Sequence, residues 1–303
     1  MNKNLLNWVI FAVLSFIWGS SFILMKLGLE RLSSYQVAAL RIVSSGLVLL
    51  PTAVKTYRLI PSNKRWITFL SGILGSLVPA FLFCKAEENL DSGLAGTLNA
   101  LTPIFVIIIG AVFFNAKTSV QKVIGILIAF TGSILLLMSN GITGNQNLLD
   151  VLYIIIATIC YGINVNMVTR HLVGIASLHI AAFALTTVAV PALFVLIFSG
   201  FFNLPFGDSK VISSVAFSSL LGVAGTAFAS IIFYKLMKSA GAVFSSMVTY
   251  GIPVIAIMWG VWYNEQVGWK QMVCLLIILS GVFIANIETI VSAARNRMVR
   301  SER

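Results

Sequence analysis

The sequence predicts an all-α integral membrane protein, with ten transmembrane helices in two inverted five-helix repeats around a central cavity. Three observations carry that expectation. The first is composition: 59% of the 303 residues are hydrophobic and 10% charged, with a mean hydropathy of +1.00, where soluble domains carry about 25% charged residues. The second is that apolar runs of about the 20 residues needed to cross a bilayer recur ten times. The third is that the second half of the chain repeats the first at a nearly constant offset.

The ten runs cover residues 5–25, 35–54, 66–84, 92–114, 120–138, 148–167, 178–198, 213–237, 241–262 and 270–288. The first follows Lys3 as a signal peptide would. It continues to about Met25 without a small-residue cleavage pattern, so it reads as a retained helix. Connections are short, which makes consecutive helices antiparallel neighbours. The fourth run, Ser92 to Phe114, carries Pro103 at its midpoint; proline lacks an amide hydrogen and crowds the carbonyl four residues back, that of Asn99. The ninth, Ala240 to Trp262, carries Pro253, which frees the carbonyl of Thr249 in the same way. In hydrocarbon an opened helix survives only where protein or a watery cavity covers it, so both breaks are expected to line something.

Lys and Arg orient the chain. Five of the twenty, Lys26, Arg31, Lys85, Lys210 and Lys270, fall on the side opposite the N-terminus; Arg41 lies inside the second run; the other fourteen share the N-terminal side. Cytoplasmic loops are the basic ones, so both termini are expected in the cytoplasm of a cell whose inner membrane holds the protein. The net charge of +11 therefore has a topological cause, and nucleic acid is not expected as a partner. Cys84, Cys160 and Cys274 lie in apolar runs without metal or redox spacing, so neither a metal nor another cofactor is expected.

An offset of 143 places Trp18 on Tyr161, Gly19 on Gly162 and Ser34 on Ser177. An offset of 150 places Gly72 on Gly222, Gly75 on Gly225, Phe83 on Phe233, Pro103 on Pro253 and Gly110 on Gly260. The chain divides accordingly into a first repeat, 1–140, a second, 141–290, and a basic tail, 291–303, suited to anionic lipid headgroups. Because five is odd, the second repeat enters the membrane from the opposite face. Inverted repeats with matching broken helices are a recurrent build of secondary transporters.

The stretches WGSSFILMKLGLERLSSYQVAALRIV, FCKAEENLDSGLAGTLNALTPIF, FYKLMKSAGAVFSSMVTYGIPVI and YNEQVGWKQ resemble the EamA-type branch of the drug/metabolite transporter superfamily over nearly the whole chain. The resemblance implies ten helices in inverted repeats, and export or exchange of small metabolites such as amino acids through a cavity walled by helices 1, 3, 4, 6, 8 and 9. The acidic residue usual after helix 4 is replaced here by Ala116 and Lys117, while Glu265 keeps it in the second repeat.

Candidate substrate contacts are polar or aromatic groups within the spans. Asn99, Thr102, Thr249 and Tyr250 flank the proline breaks; the alternative is that they only satisfy neighbouring helices. Trp18, Ser21 and Met25 share one helical face, as do their repeat partners Tyr161, Asn164 and Val168, although a Trp or Tyr can equally anchor at the interface. Phe81 and Phe228 are expected to add apolar walls. Arg41 is read as a structural charge reaching outward to Glu30, Glu87 or Glu88, ahead of direct anion binding. Lys85 is read as an anchor and as the better lysine candidate for a substrate carboxylate.

No phosphate-binding GxxxxGK[ST] loop occurs, and no HExxH or GxSxG stretch offers catalytic machinery. The expected protein is thus a carrier, not an enzyme, with a small-molecule substrate and membrane lipids as partners, working as a monomer or a dimer. The competing class is a polytopic membrane enzyme or receptor that carries nothing.

Overall fold

The structure is a computed structural model; it describes residues 3–90, 92–116, 118–139, 148–262, 268–270, 272–281, 283–285 and 287. Lys117, Glu265 and the basic tail lie outside the described residues, within which all regular structure is helical. Six stretches are long and apolar enough to cross a membrane: Asn4–Leu29, Ser34–Leu59, Ser62–Ala86, Leu148–His171, Ser177–Phe198 and Ser209–Ile255. Thr102–Phe114, Val120–Leu135 and Met272–Ala285 are shorter apolar helices. Side chains such as Val54, Phe113 and Phe198 are 70%, 75% and 82% exposed, an apolar perimeter of the kind that hydrocarbon covers.

Helix α1 spans Lys3–Leu29 and α2 spans Ser34–Thr56. The start of α2 is fixed by a capping box: Gln36 donates its amide to the Ser33 hydroxyl at 3.3 Å and its side-chain carbonyl accepts the Ser33 amide at 2.9 Å, satisfying two otherwise unpaired donors. The third apolar run is not one regular helix. It begins as α3, Ser62–Gly72, widens into a π-helical stretch, Ile73–Leu77, and continues as α4, Val78–Ala86. Pro79 lies in the first turn of α4, and its ring crowds the carbonyl of Gly75, within the widened stretch.

The Pro103 break separates α5, Ser92–Asn99, from α6, Thr102–Phe114, which ends at left-handed Asn115 (φ 49°). The freed Asn99 carbonyl is not left open. It accepts the Thr102 hydroxyl at 2.8 Å. Next come α7, Val120–Ser139, α8, Leu148–His171, and α9, Ser177–Phe198.

A second π-helical stretch, Leu221–Phe228, joins α10, Ser209–Leu220, to α11, Ala229–Ser246. As one straight helix Ser209–Ile255 would be about 70 Å long, more than twice the roughly 30 Å of hydrocarbon. Gly241 turns the chain instead, at φ 84° and ψ 172°, a region only glycine enters without strain. Beyond it a 3₁₀ turn, Met247–Tyr250, leads into α12, Ile252–Trp262.

Two helix pairs show how the halves meet. Along α2 and α9, Gln36 donates to the Ser199 carbonyl at 3.0 Å, Thr186 to the Gly46 carbonyl at 3.3 Å, and Tyr57 stacks on Phe183 with centroids 5.9 Å apart. Rising numbers on one helix meet falling numbers on the other, so the pair is antiparallel. Likewise Gly125 of α7 lies against Ala285, and Gly132 against Ile278, an antiparallel contact with the last apolar helix.

Candidate functional site

A cavity of about 90 Å³ is enclosed by residues of α1, α2, both π-helical stretches, α4, α5, α6, α8, α11, the Met247–Tyr250 turn and α12. Its wall is built in duplicate. At an offset of 150, Gly75, Ser76, Phe83, Asn99 and Thr102 of the first half correspond to Gly225, Thr226, Phe233, Thr249 and Ile252 of the second, and all ten line the cavity. At an offset of 143, Trp18, Ser21 and Phe22 correspond to Tyr161, Asn164 and Val165, which also line it.

The correspondences extend to contacts across the halves. A methyl on Gly75 would collide with the Asn164 amide, and one on Gly225 would come within 2.7 Å of the Ser21 hydroxyl oxygen. Each π-helical stretch thus presents a bare glycine to the polar residue on the other half's first helix. π-Helical turns are rare, and they cluster at functional sites. Around them Trp18 donates its indole N–H to the Gly225 carbonyl at 3.0 Å and meets Phe233 edge-on, while Phe83 stacks on Tyr161.

Of the residues singled out from sequence, Trp18, Ser21, Met25, Arg41, Asn99, Thr102, Tyr161, Asn164 and Thr249 meet at this cavity. Five do not. Tyr250 is fully buried among Met247, Ala100 and Ile278, with its hydroxyl unpartnered; the 3₁₀ turn alters the angle per residue and swings it away from the face that carries Thr249. Phe228 is 52% exposed, because the wider π-helical turns rotate it outward while Thr226 points in. Phe81 packs beside Tyr35 with centroids 6.4 Å apart, and Val168 is buried in a different cluster. Lys85 is exposed and pairs with Glu88, whose carboxyl is drawn below its usual range, against the effect of burial, by Lys85 and Ser34. Pro103 is buried at the first turn of α6 and Pro253 at that of α12.

Arg41 departs from expectation most informatively. Its Nε donates to the Thr226 hydroxyl at 2.7 Å, so it reaches across to the other half rather than to Glu30, Glu87 or Glu88. Glu87 lies outside the wall, 9% exposed, with Oε1 unpartnered and Oε2 accepting the Ser92 hydroxyl at 3.5 Å. Burial pushes its carboxyl well above the usual range, more than Arg41, Ser92 and Lys26 pull it down.

Sequence reasoning missed Phe22, Phe83, Thr226, Phe233 and Tyr234 as cavity residues. Phe83 and Phe233 were visible as a repeat match. Nothing in an apolar run marks which phenylalanine faces inward once a π-helical turn has shifted the register.

The profile of the EamA-like transporter family matches residues 6–138 and 148–287. The chain belongs to the EamA-like transporter family. Among curated relatives, an uncharacterized transporter of Archaeoglobus fulgidus is 28% identical over 43% of this chain and 47% of its own length, and protein PagO of Salmonella typhimurium is 26% identical over 41% of each. A probable amino-acid metabolite efflux pump of Escherichia coli K12 is 28% identical over 43% of this chain and 42% of the relative. The matched region thus spans less than half the length of these curated relatives. A crystal structure aligns over 92% of this chain and 96% of its own with a TM-score of 0.69 at 17% identity, which shows a shared fold. Family and relatives together make this a multi-pass membrane protein and point to transport rather than enzymatic chemistry.

Proposed function

We propose that the chain is a secondary transporter that exports or exchanges small, partly apolar metabolites by alternating access, with ten helices in two inverted five-helix repeats and both termini in the cytoplasm. The observation that carries this reading is the duplicated cavity wall, in which equivalent residues of the two halves face one another across a single space. The antiparallel pairing of α2 with α9 supports inversion, because these are the second helices of the two repeats and a parallel duplication would leave them pointing the same way. Exchange of conformation between such halves opens one cavity to each face in turn.

At about 90 Å³ the cavity holds a few waters. Loading a metabolite requires the walls to part, which the rocking of one half against the other supplies. The mixed lining of aromatic rings, hydroxyls and amides suits an amphiphilic solute, and the name of the Escherichia coli relative is in keeping with amino-acid-like cargo. Purified protein in liposomes is expected to move at least one labelled amino acid, nucleoside or amphiphilic drug faster than empty liposomes do. Equal rates for all of them would remove the main support for a carrier.

A further inference from the structure

Arg41 is the one charged side chain in the cavity wall among the described residues. Its hydrogen bonding among those residues is through Nε alone, to Thr226, which leaves the two terminal nitrogens of the guanidinium for a ligand. Among the described residues no carboxylate lies in the wall to compensate it. The acidic group whose charge acts on it from the end of α4 is Glu87, and that group is buried outside the wall with one oxygen unpartnered. Burial there pushes its carboxyl above the usual range, against the pull of Arg41, which disfavours the charged form. Glu88, the next residue, is engaged by Lys85. With Arg41 its one charged side chain among the described residues, the wall itself is electropositive.

Asn164 of α8 supplies a second feature. It is 3% exposed and lines the cavity; its amide sits against the Tyr234 hydroxyl, and its Oδ1 has no hydrogen-bond partner among the described residues. A buried amide oxygen without a donor is costly, and the cost is removed by a ligand that brings an N–H or O–H. The remaining wall is aromatic: Trp18, Phe22, Phe83, Tyr161 and Phe233.

We infer that the cavity takes a ring-bearing monoanion, a carboxylate with a neutral hydroxyl or amide N–H donor nearby, its carboxylate on the Arg41 guanidinium and its donor on the Asn164 amide oxygen. This rests on the transporter reading above and narrows it. A free amino acid fits less well, since its ammonium would enter an electropositive cavity whose wall offers no carboxylate to pair with it.

Four probes that share a phenyl ring separate the possibilities: 3-phenyllactate (anion with a hydroxyl), 3-phenylpropionate (anion without one), L-phenylalanine (zwitterion) and phenethylamine (cation). Binding is read by thermal shift on the full chain in detergent at pH 6, and flux by uptake into proteoliposomes. The expected order is 3-phenyllactate first, then 3-phenylpropionate, then L-phenylalanine, then phenethylamine, with roughly tenfold or more between the first and last, as a charge-assisted hydrogen bond implies. Asn164→Leu is expected to erase the advantage of 3-phenyllactate over 3-phenylpropionate, and Arg41→Gln the advantage of both anions over L-phenylalanine. Should Arg41→Gln not fold, the wild-type ranking decides alone. L-phenylalanine or phenethylamine binding as tightly as 3-phenyllactate overturns the inference and leaves the carrier intact, as does transport of other compounds with none of the four bound. No flux of any compound removes the carrier reading and the inference with it.

Discussion

Thr102 does the work that Pro103 undoes. Proline takes away the amide that would have bonded the Asn99 carbonyl, and the Thr102 hydroxyl, held at 2.8 Å, replaces it. Thr102→Val, which keeps the shape and removes the hydroxyl, is expected to destabilise the protein by about 1 kcal/mol, seen as a lower melting temperature in detergent; Thr102→Ser should restore most of it. Glu87 carries the pH dependence at this scale. Its folded pKa is raised by burial, so the folded state holds a proton that the unfolded chain gives up at the ordinary carboxylate value. The sign follows: the favourable contribution is complete in acid and is lost as pH climbs from the ordinary value through the raised one. Glu87→Gln should flatten that decline and melt higher than wild type at pH 8, while matching it near pH 4; a steeper alkaline loss in the variant would show that ionised Glu87 is paired. Individual side chains were only partly legible in the sequence. Asn99 and Thr102 stood out because polar groups are few in that run, but the partner of Arg41 did not. Sequence offers the carboxylates Glu30, Glu87 and Glu88 nearby, whereas the acceptor used is a hydroxyl 185 positions away, which only the packing of the halves brings within reach.

At the scale of elements, the two π-helical stretches set the site. Each turns a glycine and a small polar residue, Gly75 with Ser76 and Gly225 with Thr226, toward the cavity. An α-helical register over the same residues would carry those side chains elsewhere, and the run of apolar letters is the same in either case, which is why the stretches could not be read in advance. The proline breaks could be, because Pro103 and Pro253 dictate them chemically. The glycines also let opposite halves approach. Gly75→Ala places a methyl on the Asn164 amide, and overpacking of this kind costs about 1–3 kcal/mol. The expected result is a melting temperature that falls in Gly75→Ala and recovers in Gly75→Ala with Asn164→Ala, since the second change vacates the space. Failure of the double variant to recover would mean that Gly75 is needed for the π-helical backbone itself rather than for clearance.

For the whole molecule the decisive quantity is the relative direction of the two halves. The repeat offsets and the odd number of runs per half predict inversion from sequence, and the packing of α2 against α9 adds an argument in its favour that sequence could not supply: the two helices run in opposite senses, joined by Gln36 to Ser199 near one end and by Tyr57 on Phe183 toward the other. Inversion makes a concrete demand on the loops. The connection after α2, with exposed Arg58, and the equivalent connection after α9, just before Lys210, must lie on opposite faces of the membrane; parallel repeats would put both on one face. In a background with Cys84, Cys160 and Cys274 replaced by Ala, single cysteines at Arg58 and at Ser209 therefore give contrasting results in intact cells. A membrane-impermeant maleimide is expected to label Ser209→Cys from outside and to reach Arg58→Cys only after the membrane is opened, because Arg58 belongs to the basic, cytoplasmic set. Labelling of both from outside, or of neither, would place the equivalent loops on one face, and a cavity shared between two halves of the same orientation would lose its route from one side of the membrane to the other.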